Sequence, residues 1–274
     1  MLKNIVNTFV NCFKIPELKS RIYFTLIVLA ICRLISMLPL PGLDGQALQE
    51  YFEKLASKDG GGLLGMYSMF TGGAMEKCAI GSLGIMPYIS ATIIIQLLSA
   101  VIPQLSKLAR EEGGRAKIIQ YGRYLTVLLC LGQGLAMAFT WENPKMFQGF
   151  TGQLVQDPGW AYRIQTTLLL TTGTMLMMWL GEQISERGIG NGVSLVITVG
   201  ILARLPQTAQ ALLEMFFPPE GIERRYHLFH GIFLVALLLF VIAGVIAVTQ
   251  AQRKIPVQYA QRMAGRKMVQ GGSS

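Results

Sequence analysis

The amino-acid sequence predicts an all-α, multispan membrane helix bundle, and three observations carry that prediction. Of 274 residues, 52% are hydrophobic and only 14% are charged, against about 25% charged in an ordinary soluble domain. Long uncharged runs recur, the clearest being Cys78–Ile102 with twenty-five residues and no charge. About 20 apolar residues suffice to cross the hydrocarbon core. The Lys and Arg residues also sort unevenly between alternate loops, as orientation in a membrane requires.

Taken in order, Met1–Phe13 places Leu2, Ile5, Val6, Phe9 and Phe13 at helical spacing. That pattern suits either a helix lying in the interface, with Lys14, Lys19 and Arg21 near anionic headgroups, or a frayed terminus. The first span is expected at about Ile22–Leu40 and contains Arg33. A charge at such depth costs about 2.5–3.5 kcal/mol on insertion scales, so Arg33 must face protein or water. Pro41–Gly45 ends the span, and a polar loop, Gln46–Gly62, follows.

Leu63–Phe70 is apolar but too short to cross, and Thr71–Gly73 breaks it before Glu76 and Lys77. The second span follows as Cys78–Ile102. A half-length segment hinged by glycines to a full span is expected where a pathway is being built. Non-helical backbone at membrane depth survives only if buried in protein or lining water. Further spans are expected at Tyr124–Thr140, Ile164–Leu180 and Leu228–Val248. Val193–Leu202 is short for a fifth span, and becomes long enough if its helix begins near Gly188–Gly192 and Arg204 marks one mouth.

Ile85, Ile89, Thr92, Gln96 and Ser99 follow the three- and four-residue steps of one helix face. The stripe is aliphatic at one end and polar at the other. It fits a water-facing wall narrowed by isoleucines, and it equally fits polar packing between helices. Val193 and Ile197 repeat the four-residue spacing of Ile85 and Ile89 in the fifth span.

Six spans leave two sets of loops. The set holding both termini carries fifteen Lys and Arg, and the other carries eight. Both termini are therefore expected in the cytoplasm. The net charge of +9 then belongs mostly to that face and needs no nucleic acid to explain it. The expected segments are 1–21, a cytoplasmic amphipathic piece; 22–226, five spans; 227–250, a sixth span; and 251–274, a basic cytoplasmic tail expected to be cut short.

No catalytic constellation is visible, and neither an enzyme nor a cofactor or metal is expected. Gly188, Gly190 and Gly192 lack the strand–turn–helix context of a dinucleotide fingerprint. His227 and His230 are too few for a metal site. Glu182 and Glu186 read as a solvated loop partly paired with Arg187. Four scattered cysteines without a CxxC read as buried free thiols. In the tail, Ile255, Val257 and Tyr259 alternate with polar residues ahead of the turn-prone Ala264-Gly265, which predicts a small hairpin. Its five cations suit an acidic partner or anionic lipid about equally.

These pieces together resemble the SecY family of protein-translocation channel subunits. The matching strings are LPLPGLD (38–44), MFTGGA (69–74), LGIMPYISATIIIQLL (83–98), GRAKIIQYGRYLT (114–126), GTMLMMWLGEQISERGIGNGVSL (173–195) and RKIPVQYAQRMAGRK (253–267). The resemblance implies the first five-helix half of an inverted-repeat channel plus one further span. It implies an hourglass pore in a bacterial plasma membrane that passes unfolded preproteins across it, or membrane proteins into it.

On this sequence the implied constriction ring is Ile85, Ile89, Val193 and Ile197, with valine at 193 a conservative departure. The implied plug covers 63–75, including Leu63, Leu64, Met66, Met69, Phe70, Gly72 and Gly73, whose glycines would let it swing away. The lateral gate is implied at Thr92 and Gln96. Docking of a SecA motor ATPase or a translating ribosome is implied at Arg253, Lys254, Arg262, Arg266 and Lys267. SecE-like and SecG-like subunits, signal peptides and anionic lipids are the other implied partners. The family has ten spans where six are read here, so a partial chain unable to conduct polypeptide alone is expected. A secondary transporter half should place polar ligand groups at the midplane, where this chain has isoleucines. A membrane scaffold is the other alternative.

Overall fold

The computed structural model describes residues 14–51, 67–111, 113–143, 154–216, 228–252, 262–264 and 267–269. Those residues are predominantly helical, with one two-stranded hairpin. The framework divides into two units, Met1–Gln207 and Thr208–Ser274.

In the first unit, α1 runs Pro16–Ile35. Pro16 starts it where a missing N–H is harmless, and Glu17 and Arg33 sit at the helix ends that favour their charges. The helix stops five residues before the expected end of the first span. Leu40 N–H donates to the Cys78 carbonyl at 2.9 Å, and Ile80 N–H to the Leu38 carbonyl at 2.9 Å. Residues 38–40 are thus extended and paired with 78–80, bonds unavailable to a helix. The loop expected from Gln46 also differs. Asp44 Oδ1 accepts from the amides of Gln46 and Ala47, capping a helical turn over 45–51 whose Leu48 and Tyr51 are buried.

The second span is likewise shorter than its uncharged run. Residues 71–85 are turns, and α2 covers only Met86–Val101. Glycines at positive φ, including Gly72 at +65° and Gly84 at +59°, take the chain through turns that a helix cannot make. At Ile102–Pro103 the chain bends by 101° into α3, Pro103–Arg110. A residue before proline is pushed out of helical geometry, and Ile102 is extended.

Helix α4, Gly114–Glu142, and α5, Trp160–Arg187, form an antiparallel pair at the centre of the unit. Gly122, Thr126, Cys130, Gly134 and Ala138 make a buried small-residue stripe along α4, which lets the backbones approach closely. The expected loop with Glu182 and Glu186 is in fact the last turns of α5. Helix α6, Gly192–Leu202, begins where expected, with Asn191 capping it by accepting from Ser194 N–H. It breaks at Ala203–Arg204 and continues as α7, Leu205–Phe216.

Two apolar clusters hold this unit. One gathers Leu40, Leu48, Met75, Cys78, Leu83, Cys130, Trp141 and Leu154, and the other joins α1, α5 and α6 through Val28, Cys32, Met177, Ile184 and Val196. Cys32, Cys78 and Cys130 are buried free thiols.

The second unit holds α8, Leu228–Gln250, and a hairpin of β1, Arg262–Ala264, with β2, Lys267–Val269. The pairing is antiparallel with Met263 opposite Met268. Ala264 pairs with Lys267 beside the turn-prone Ala264-Gly265, while the alternating Ile255, Val257 and Tyr259 lie outside the described residues. Phe216 lies against Gly231 within this unit. Among the described residues, three helices are long and apolar enough to cross a membrane, Gly114–Glu142, Gly192–Gln210 and Phe229–Gln250, with the bent pair of α2 and α3 a fourth. The expected spans on α1 and α5 are long helices that carry more polar residues.

Candidate functional site

The site is built where α1, α2, α5 and α6 meet the turn-rich segment 71–85. Gly181 on α5 leaves a gap that two side chains enter: Ile85 Cδ1 and Val193 Cγ2 each lie 3.6 Å from where a Cβ would stand. Ile85 caps the N-terminus of α2 and is buried. A cleft beside it is lined by Ile85, Ile197 and Val196, by Leu29, Cys32 and Arg33 of α1, and by Phe70 and Thr71. Two helices far apart in sequence therefore bring Ile85, Val193 and Ile197 to one apolar spot with Phe70 beside it. Ile89 is half-buried one turn along α2 and does not line this cleft.

The segment carrying Phe70 is held by polar contacts. Residues 67–70 form a helical turn, and Gly73 N–H donates to the Ser68 carbonyl at 2.9 Å. Arg33 Nη1 donates to the Gly72 carbonyl at 3.1 Å, which supplies the protein partner that an intramembrane charge demands. Gly72 sits so close to Gly200 of α6 that a Cβ would stand 3.0 Å from the Gly200 Cα. Gly72 and Gly73 thus serve close packing as well as positive φ, where the sequence suggested a hinge alone.

Beyond them, Arg204 Nη2 donates to Ser68 Oγ at 2.8 Å and pairs with Glu76 at 2.5 Å, while Ser68 Oγ donates to Glu76 Oε1 at 2.8 Å. Sequence reasoning missed this trio. Glu76 and Arg204 are 128 positions apart, and the one available signal was the pair of charges Glu76 and Lys77 between two apolar stretches.

Of the other residues singled out, Thr92 donates to the Ile89 carbonyl and is half-buried, and Gln96 is exposed. Met69 and Phe70 are each about half exposed. Arg262 and Lys267 stand on the hairpin strands. Leu63, Leu64, Met66, Arg253, Lys254 and Arg266 lie outside the described residues. Glu182, expected beside Arg187 in a loop, instead pairs with Arg123 of α4 through two bonds of 2.7 and 3.2 Å. The end of α4 is tied to the start of α5 by Arg163, which donates to the Glu142 carboxylate at 2.6 and 3.0 Å and stacks on Phe139 and Trp160.

The arrangement is an apolar cleft bounded by turns, with a small polar cluster behind it.

Comparison with known proteins gives the following. The model of the SecY family matches residues 79–274. The protein translocase subunit SecY of Streptomyces coelicolor is 40% identical over 274 residues, covering 98% of this chain and 61% of its own length. That of Thermotoga maritima is 40% identical over 271 residues, covering 97% of this chain and 59% of its own length. The chain thus spans about three fifths of the curated relatives it matches. A solved structure described as "The structure of a protein conducting channel" overlaps 93% of this chain and 52% of its own, with a TM-score of 0.47 and 16% identity.

Proposed function

The chain belongs to the SecY family, and on that footing we propose that it forms part of the pore of a protein-conducting channel. In this reading it passes unfolded preproteins across a bacterial plasma membrane, or releases membrane proteins into it. The observation that carries the reading is the meeting of Ile85, Val193 and Ile197 beside a folded segment that presents Phe70. Ile89 completes the ring when the helices rearrange, and 63–75 is the stopper. Thr92 and Gln96 lie on the side that parts towards lipid.

The uneven Lys and Arg distribution supports cytoplasmic termini, with segments 1–21, 22–226, 227–250 and 251–274 as read from the sequence. The basic tail around Arg253, Lys254, Arg262, Arg266 and Lys267 then faces a SecA-like motor or a ribosome. SecE-like and SecG-like subunits flank the bundle. The driving energy comes from such a partner, because the channel itself performs no catalysis in this reading.

Single-channel recording tests the proposal. In a complex whose subunit has the full length of its relatives, replacing Ile85, Ile89, Val193 and Ile197 by Gly should open a resting ion leak. A quadruple variant that inserts normally and stays sealed would falsify it.

A further inference from the structure

We propose that Ser68, Glu76 and Arg204 form a polar latch that holds the stopper segment closed, so that opening requires breaking an ion pair as well as parting apolar surfaces. This rests on the pore reading above. Apolar contact is non-directional, so the packing of Phe70 beside Ile85 and Ile197 does not by itself set where the segment stops. A bonded triangle does. Ser68 is fully buried. Its hydroxyl accepts a hydrogen bond from Arg204 Nη2 at 2.8 Å and donates one to Glu76 Oε1 at 2.8 Å, while Arg204 and Glu76 meet at 2.5 Å.

The two ends of this triangle belong to different bodies. Ser68 lies on the segment and Glu76 directly follows its end, on either side of Phe70 and the two glycines, whereas Arg204 stands at the break where α6 ends. Gly73 leaves room for the guanidinium: a Cβ there would stand 3.1 Å from Arg204 Nη2. The triangle therefore encloses the bend, and the segment cannot leave α6 with all three bonds intact. Side-chain exposures of 19% for Arg204 and 22% for Glu76 leave part of each charged group uncovered by this chain. Each charge can be rehydrated when the bonds break, so the latch is reversible, unlike a fully buried pair stripped of its partner.

The test uses the channel complex with a full-length subunit in lipid vesicles, reading resting iodide efflux. Charge-assisted hydrogen bonds are strong enough that Glu76→Gln or Arg204→Gln should raise resting leak about tenfold. The double reversal E76R/R204E should return leak towards the unaltered level, which a merely structural role for either residue would not produce. Should Glu76→Gln fail to assemble, Glu76→Asp keeps the charge at shorter reach and should give a smaller rise. Ile85→Gly is the control for the pore itself. Latch variants that stay sealed while Ile85→Gly leaks overturn the latch alone. If Ile85→Gly also stays sealed, the pore reading falls and the latch with it. A leak that the double reversal leaves unchanged overturns the pairing as its cause.

Discussion

Residues 78–85 and helix α8 are made of similar material and are used in opposite ways. The first, CAIGSLGI, opens the long uncharged run of the second span; the second is the apolar stretch from Leu228. The first folds into turns, with every residue buried except the half-buried Ile80. The second is an unbroken helix exposed along nearly its whole length.

Both satisfy their backbones without water. Helix α8 does so through its own ladder. In the turns, Ala79 N–H donates to the Ala74 carbonyl, Ser82 N–H to that of Ala79, and Gly84 N–H to that of Gly81, while Ser82 Oγ donates to the Ala74 and Ala79 carbonyls. Hydropathy measures the wish to leave water, and does not say whether protein or lipid will be the new surroundings. Glycine and serine make that choice, by permitting turns at one place and being sparse at the other.

The contrast breaks most sharply at Gly173 on α5. A Cβ there would stand 2.5 Å from the Ile80 carbonyl oxygen and from its Cγ2, so backbone must move. Gly173→Val should lower stability by about 3 kcal/mol, read as the thermal unfolding midpoint in detergent; an unchanged midpoint would mean that the turns are not packed on α5. Next comes Ser82→Ala, which removes both hydroxyl bonds from a buried turn and should lower stability by about 1 kcal/mol. Gly244→Ala in α8 sharpens the contrast from the other side. Nothing lies within 4 Å of a Cβ there, so the change should be neutral or stabilising by no more than about 1 kcal/mol.

The smallest effect is expected at the pair beyond the spans. The Arg163 guanidinium, hydrogen-bonded to Glu142, holds that carboxyl below its usual range. A lowered folded value means that the pair stabilises above the unfolded carboxylate value, about 4.3. The contribution is lost as pH falls through the lowered folded value. The midpoint advantage of the unaltered chain over Glu142→Gln should accordingly shrink in acid, and an advantage independent of pH would refute the assignment.

The positions that could be read ahead share a local cause. Arg33 announced a need for a protein partner, because hydrocarbon offers a cation nothing, and Gly72 supplies it. The start of α6 was legible in the glycines at 188–192, and the structure adds Asn191, whose cap is a bond three residues long. The hairpin was legible in Ala264-Gly265. By contrast, the helix starting at Met86 in place of Cys78, the extended run after Ile35, and the partners of Glu76, Glu142 and Glu182 depend on residues 20 to 130 positions away, roughly, and propensity is only a weak prior against such contacts.

By itself the sequence determined a predominantly helical membrane chain, the neighbourhood of its long helices, and the residue types able to line an apolar cleft. Those follow from composition and period, which act over a few turns of helix. Tertiary structure alone decided that Ile85 and Val193 meet across Gly181, that Phe70 lies beside them, and that Arg204 reaches back to Ser68 and Glu76. Such meetings depend on which surfaces pack, and packing is settled by the whole set of helices at once.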